Sequence, residues 1–243
     1  MSPSGSPRED NGLGASLIFG KGTRPSACAV VSLLESPAMF GIASIIANRP
    51  DQAGDAIEVL SAGLAFELRL PDVPAPRGHP GTGVPAEEVI RIVPGGHVAA
   101  GLGLLPVVKA LAGLTANLAL HSPVAAISWD LAGTRVPPRE FSSSVLNWLA
   151  GGPFPARSLT ALSIRPDGSV VSEGLVQFSG QEMHLVGSQG EGEEATMRLA
   201  VGVVDQLVRQ GRLQLPQELT VAGTGLLAEP SQFEDRVWIW RKR

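Results

Sequence analysis

Apolar and polar residues alternate most regularly over residues 159–186, in three runs at 159–165, 169–178 and 181–186. The runs are separated by Pro166-Asp167-Gly168 and Ser179-Gly180. Proline presets φ at the first corner of a turn and glycine takes the left-handed position, so both separators predict hairpins. A first loop closed at Arg165 and Ser169 sets Ile164 opposite Val170 and Leu162 opposite Ser172. A second closed at Phe178 and Gln181 sets Val176 opposite Met183 and Gly174 opposite Leu185. Together they place Leu162, Ile164, Val170, Val176, Phe178, Met183 and Leu185 on one face, with Glu173, Gln177, Glu182 and His184 on the other. A three-stranded meander with one apolar face is not stable alone and needs a helical cover.

The cover is predicted directly downstream. Glu191, Glu193 and Glu194 precede Met197, Ala200, Val201, Val204, Leu207 and Val208 at helical spacing, and Arg209 and Arg212 close the segment. Acid first and base last suits the helix dipole. Residues 219–227 and 237–240 then read as short strands.

Upstream, residues 27–34 form a continuous apolar run predicted as a buried strand that hides Cys28. Ser36-Pro37 offers a helix start for Met39, Ile42, Ala43 and Ile46. Two strands follow at 57–60 and 63–70, then a Pro- and Gly-rich exposed loop at 71–85 around Arg77 and His79. Pro106 at a first helical position predicts a buried helix to Leu118, and 124–129 a strand. Residues 130–138 read as a loop, after which Phe141, Val145, Trp148 and Leu149 mark an amphipathic helix ended by Gly151-Gly152-Pro153. The fold class is therefore α+β, antiparallel sheets covered by helices. Element order suggests two ferredoxin-like (split βαβ) halves, 26–121 and 122–243, packed as one unit behind a flexible tail at 1–25.

Composition narrows the partners. The chain has 243 residues, 44% of them apolar, enough for a core without external support. A net charge of −4 argues against a duplex nucleic-acid binder, which needs a clustered basic surface. One cysteine excludes an internal disulfide and a Cys-pair zinc site. The N-terminal residues lack the basic start and apolar core of a secretion signal. Residues 98–120 are long enough to span a bilayer, but Pro106, Lys109 and Asn117 favour a helix inside the protein, so no membrane association is expected.

Chemistry-bearing patterns are sparse. The four histidines have no paired metal-ligand spacing, and the glycine pairs Gly101/Gly103 and Gly223/Gly225 lack the rest of a dinucleotide or phosphate loop, so neither metal nor cofactor is expected. Glu173, Glu182 and His184 form the one constellation able to do general acid–base work. Gln177, His79, Trp238 and Trp240 are the candidate binding residues, the two tryptophans sharing one side of a terminal strand.

Three segments carry a family resemblance: Ala126-Ile-Ser-Trp129 with Gly133, Pro138 and Phe141, then residues 173–182, then Thr220 to Gly225. Together they resemble the bacterial domain of unknown function 4261 family, with Glu173 where members carry Thr and Ser179 where they carry Gly. The resemblance covers the second half and implies a bacterial cytoplasmic protein without an assigned activity. Two functional expectations follow. One is a non-catalytic binding protein with a protein partner or a second copy of itself, accessory or immunity-like toward a secretion or toxin system. The other is a hydrolase-like enzyme using Glu173, Glu182 and His184.

Overall fold

The computed structural model describes residues 14–39, 45–48, 56–71, 88–188 and 190–242. The first part runs β1 (Ala15–Phe19), α1 (Ala27–Leu34), β2 (Ile45–Asn48), β3 (Ile57–Ser61), β4 (Leu64–Arg69) and β5 (Glu88–Pro94). Helices α2 (Gly96–Ala99) and α3 (Leu105–Leu120) lead to β6 (Ala126–Trp129), β7 (Thr134–Val136), α4 (Pro138–Leu149) and α5 (Ala156–Leu159). The remainder is β8 (Ala161–Ile164), β9 (Val170–Glu173), α6 (Val176–Ser179), β10 (Glu182–Leu185), α7 (Glu193–Gln210), β11 (Gln217–Val221), β12 (Thr224–Pro230) and β13 (Arg236–Arg241).

These strands build two sheets, and the class is α+β as the patterning predicts. The first has the order β2-β3-β4-β5-β1-β6-β7 and is antiparallel throughout. The second has the order β11-β12-β13-β10-β9-β8 and is antiparallel except where β10 meets β13. These orders do not confirm two split βαβ halves. In each sheet one strand, β1 or β10, is followed by a helix and then by a meander whose last strand, β5 or β13, returns to pair with it. Four meander strands in the first sheet and three in the second make the returning pair antiparallel in one and parallel in the other. Strands β6 and β7 complete the first sheet, although the sequence places them in the second half.

Local chemistry explains where the elements depart from expectation. Residues 27–34 are a helix rather than a strand, because Ser26 caps it by accepting from Ala29 N–H at 3.3 Å and the buried side chains, Val30 and Leu34, are four apart. Cys28 consequently lies on the outward side and is exposed. Ser36-Pro37 starts only a short 3-10 turn, and Ile46 sits in β2 opposite Val59; Ile42 and Ala43 of the expected helix fall outside the described residues. Within the expected tail, β1 is buried along its length and pairs on both sides. Of the 71–85 loop, only Pro71 is among the described residues. The expected loop at 130–138 holds β7, and the expected single strand at 219–227 is a hairpin turning at Ala222-Gly223, both with positive φ.

The largest departure is in the meander. Its first hairpin has the predicted register, Ile164 opposite Val170 and Leu162 opposite Ser172. Its second does not form: His184 lies opposite Val171 and Leu185 opposite Val170, because the middle strand ends at Glu173 and residues 176–179 coil into α6. Gly174 makes the break. Its φ is +86°, and a Cβ there would sit 2.5 Å from Ala132 Cβ in the β6–β7 turn.

Helix α3 lies on β1, β4 and β5 and also packs against α4 and α6, which explains why both its sides are apolar. Ser142 Oγ of α4 donates to the Ala116 carbonyl of α3 at 2.8 Å, so the buried hydroxyl is satisfied. Helix α7 covers the second sheet through Leu199, Ala200, Val203, Val204 and Leu207, with Met197, Val201 and Val208 at the margins of that stripe. The layers are joined by three rings: Phe178 of α6 is 6.0 Å from Trp148 of α4 and 4.7 Å from Phe154, and Trp148 and Phe154 meet edge to face at 5.3 Å. Asp205 of α7 secures the linker by accepting from Phe154 N–H at 2.7 Å. One buried apolar cluster therefore runs through both sheets.

Gly174→Ala is expected to destabilise the protein by roughly 2–4 kcal/mol, combining left-handed backbone strain with overpacking against Ala132. Urea unfolding of the two proteins measures the difference, and coincident midpoints would show that the sheets do not meet at this glycine.

Candidate functional site

The sequence proposes Glu173, Glu182 and His184 as one polar group, and the structure gives each a different environment. Glu182, at the start of β10, turns its carboxylate onto the chain break. It accepts from the N–H groups of Gly174, Leu175 and Val176 at 2.8, 3.3 and 3.2 Å, and from the Ser172 hydroxyl. Ser172 Oγ in turn accepts from Met183 N–H at 2.7 Å. Both carboxylate oxygens are thus engaged in holding α6. Glu173 is exposed, and Gln177 is half-buried on α6, which packs against α3 and α7. His79 lies outside the described residues.

His184 belongs to an aromatic row. Parallel pairing of β10 with β13 sets it beside Trp238, and its ring stacks on the indole with centroids 4.2 Å apart and planes at 26°. Trp240 continues the row at 6.2 Å and 20°, and it is 41% exposed. The Arg236 guanidinium lies 6.0 Å from the Trp238 ring centre. Arg236, Trp238 and Trp240 alternate with the buried Val237 and Ile239, so the row occupies the face of the second sheet opposite the core.

Two open clefts flank the row. One, of about 510 Å³, is bounded by Arg165, Asp167, Ser169, His184 and Arg236. The other, of about 470 Å³, is bounded by Trp238, Trp240, Glu229 and Gln232. In the first, Asp167 Oδ1 accepts from the hydroxyl and the N–H of Ser169 at 2.6 and 2.9 Å, and these bonds hold its carboxyl below the usual range. Serine, aspartate and histidine therefore share a cleft without a relay among them, because the serine hydroxyl points to the aspartate rather than to the imidazole. Nδ1 of His184 is buried and has no hydrogen-bond partner among the described residues. Burial pushes the imidazole pKa down, Arg236 and Arg165 push it further, and Asp167 opposes them.

Arg165, Asp167 and Arg236 were not singled out from the sequence. Arg236 was within reach, since the 236–241 alternation puts it on the tryptophan face; the other two sit in the β8–β9 turn and reach His184 through the pairing of β9 with β10. Among the described residues, no three His, Cys, Asp or Glu side chains gather as a metal site, and no helix is long and apolar enough to cross a membrane. The chain matches no protein-family model, no curated protein and no solved structure.

Two outcomes follow. Glu182→Gln retains one acceptor but not the charge, and is expected to lower stability by about 1–3 kcal/mol in chemical denaturation at neutral pH. The folded His184 imidazole holds its proton less tightly than the unfolded one, so the unfolded state binds more protons below the ordinary value near 6.5. Stability present at neutral pH is therefore lost as pH falls through 6.5 toward the lower folded value. Comparing unfolding midpoints of the wild type and His184→Phe from pH 7.5 to about pH 5 tests this; equal slopes would remove His184 as the cause.

Proposed function

We propose that this chain is a non-catalytic binding protein that docks a protein partner on the outer face of its second sheet. The stacked row of His184, Trp238 and Trp240, with Arg236 against it, carries this reading. Large aromatic side chains and arginines dominate binding energy where proteins meet, because they remove much surface from water at little conformational cost. A half-exposed row of three stacked rings between two open clefts has that composition. The engagement of Glu182 with α6 and of Ser169 with Asp167 supports binding over hydrolysis. The net charge of −4 supports a protein rather than a duplex nucleic acid as partner. The resemblance to the domain of unknown function 4261 family belongs to the same reading, in which the chain is a cytoplasmic bacterial protein, accessory or immunity-like toward a secretion or toxin system.

The test is co-purification from the native host with the tagged full chain and with two variants, Trp240→Ser and Arg236→Glu, whose circular dichroism first shows them folded. The expected result is one protein recovered with the wild type and reduced about tenfold or more with each variant, as for residues at the centre of an interface. Equal recovery with all three chains overturns the docking face. A concentration series by light scattering distinguishes a second copy of this chain as the occupant.

A further inference from the structure

The two clefts that flank the aromatic row differ in charge. Cross-strand register builds the one beside Trp240: Glu229 of β12 lies directly opposite Trp238 of β13, and Leu227 lies opposite Trp240, so these side chains project from the same face of the second sheet. Pro216 and Pro230 add apolar walls and Gln232 a polar one, around about 470 Å³. Among the described residues, Glu229 is the one charged group that lines it. The other cleft carries Arg165 and Arg236, with Asp167 already engaged by Ser169.

Glu229 is half-buried, and among the described residues no cation pairs with its carboxylate. Two basic residues of the same strand and its end are committed elsewhere, Arg236 to Glu234 and Lys242 to Glu218. A partly desolvated carboxylate is costly without a counter-charge, and the indole beside it presents a negative ring face of its own. Both groups therefore attract a cation, and Trp240 leaves its ring open to one, being 41% exposed.

We propose that the protein partner inserts an arginine side chain into this cleft, its guanidinium forked onto the Glu229 carboxylate and lying flat against the Trp240 indole, with its aliphatic stem along Pro216 and Pro230. The proposal rests on the docking face argued above and names what that face recognises. A guanidinium suits the cleft better than an ammonium because it is planar and weakly hydrated, and it stacks on a ring while bonding a carboxylate through two N–H groups. The chain makes the same combination internally: the Arg236 guanidinium lies 6.0 Å from the Trp238 ring centre and pairs with Glu234 at 3.2 Å. The net charge of −4 draws a basic segment toward the protein, and arginine is among the residues that anchor interfaces.

Proton NMR of the full chain, following the indole N–H signals of Trp238 and Trp240 at fixed ionic strength, tests the proposal with three blocked tripeptides, acetyl-Gly-Arg-Gly-amide and its citrulline and lysine counterparts. The arginine peptide is expected to shift both signals saturably. Citrulline keeps the shape without the charge and should bind about tenfold more weakly, with lysine between the two. Glu229→Gln should weaken arginine binding about tenfold, to the level of citrulline, and Trp240→Ser should weaken it comparably. Glu218→Gln, which alters the charge of the same face outside the cleft, should leave it unaltered. Absence of a saturable shift, citrulline or lysine binding as tightly as arginine, or unchanged affinity in Glu229→Gln would overturn the proposal. The docking face itself is judged separately, by recovery of the partner with Trp240→Ser and Arg236→Glu, so that face stands if those variants lose the partner while the arginine peptide fails to bind.

Discussion

The hydrogen bonds gathered by the Glu182 carboxylate are the constraint on which the joining of the two sheets depends. Beyond Glu173 the chain could continue as strand, since Leu175, Val176 and Phe178 are all compatible with one. Three successive N–H groups instead turn toward a single carboxylate, and bonds of that kind are roughly twice as strong as those between neutral groups. The resulting helical turn lifts Phe178 out of the sheet and sets it against Trp148 and Phe154. A residue at the start of β10 thereby ends β9, frees the register of the next strand and supplies the aromatic contact through which the second sheet holds the helices lying on the first.

This is also where the sequence is hardest to read. The Pro166-Asp167-Gly168 loop encodes its hairpin locally, and the register of Ile164 with Val170 is recoverable from turn chemistry alone. Ser179-Gly180 looks like a second corner, but Gly180 ends a helical turn with a left-handed φ of 78°. Glycine serves both geometries, and what decides between them is a carboxylate after the turn and Ala132 from the other sheet. The apolar run at 27–34 fails for a similar reason: continuous apolar residues suit a buried strand or a helix against a core, and only Ser26 marks the helix. Long periodic helices such as α4 and α7 were legible because their pattern repeats over several turns.

The candidate site divides along the same line. The tryptophan face of β13 is written in a local alternation and was legible. His184 beside Trp238 follows from a parallel pairing whose partners are separated by α7 and a whole meander, and no nearby turn encodes it. The proposed acid–base group depended on the second hairpin; without it, Glu182 faces the backbone and His184 faces an indole. The two sides of the second sheet thus differ in character: one is packed under α7, and the other presents rings and guanidinium groups to solvent.

Strand β1 shows how the first sheet is closed. It pairs with β5 on one side and β6 on the other, so among the described residues the β2–β5 meander and the β6–β7 hairpin are joined into one sheet by this strand. A chain emerging from the ribosome must hold this segment unpaired until strands far downstream arrive, at the entropic cost of closing long loops. If the segment detached, two raw sheet edges would face each other across a strand-wide slot, open to an extended peptide from another molecule.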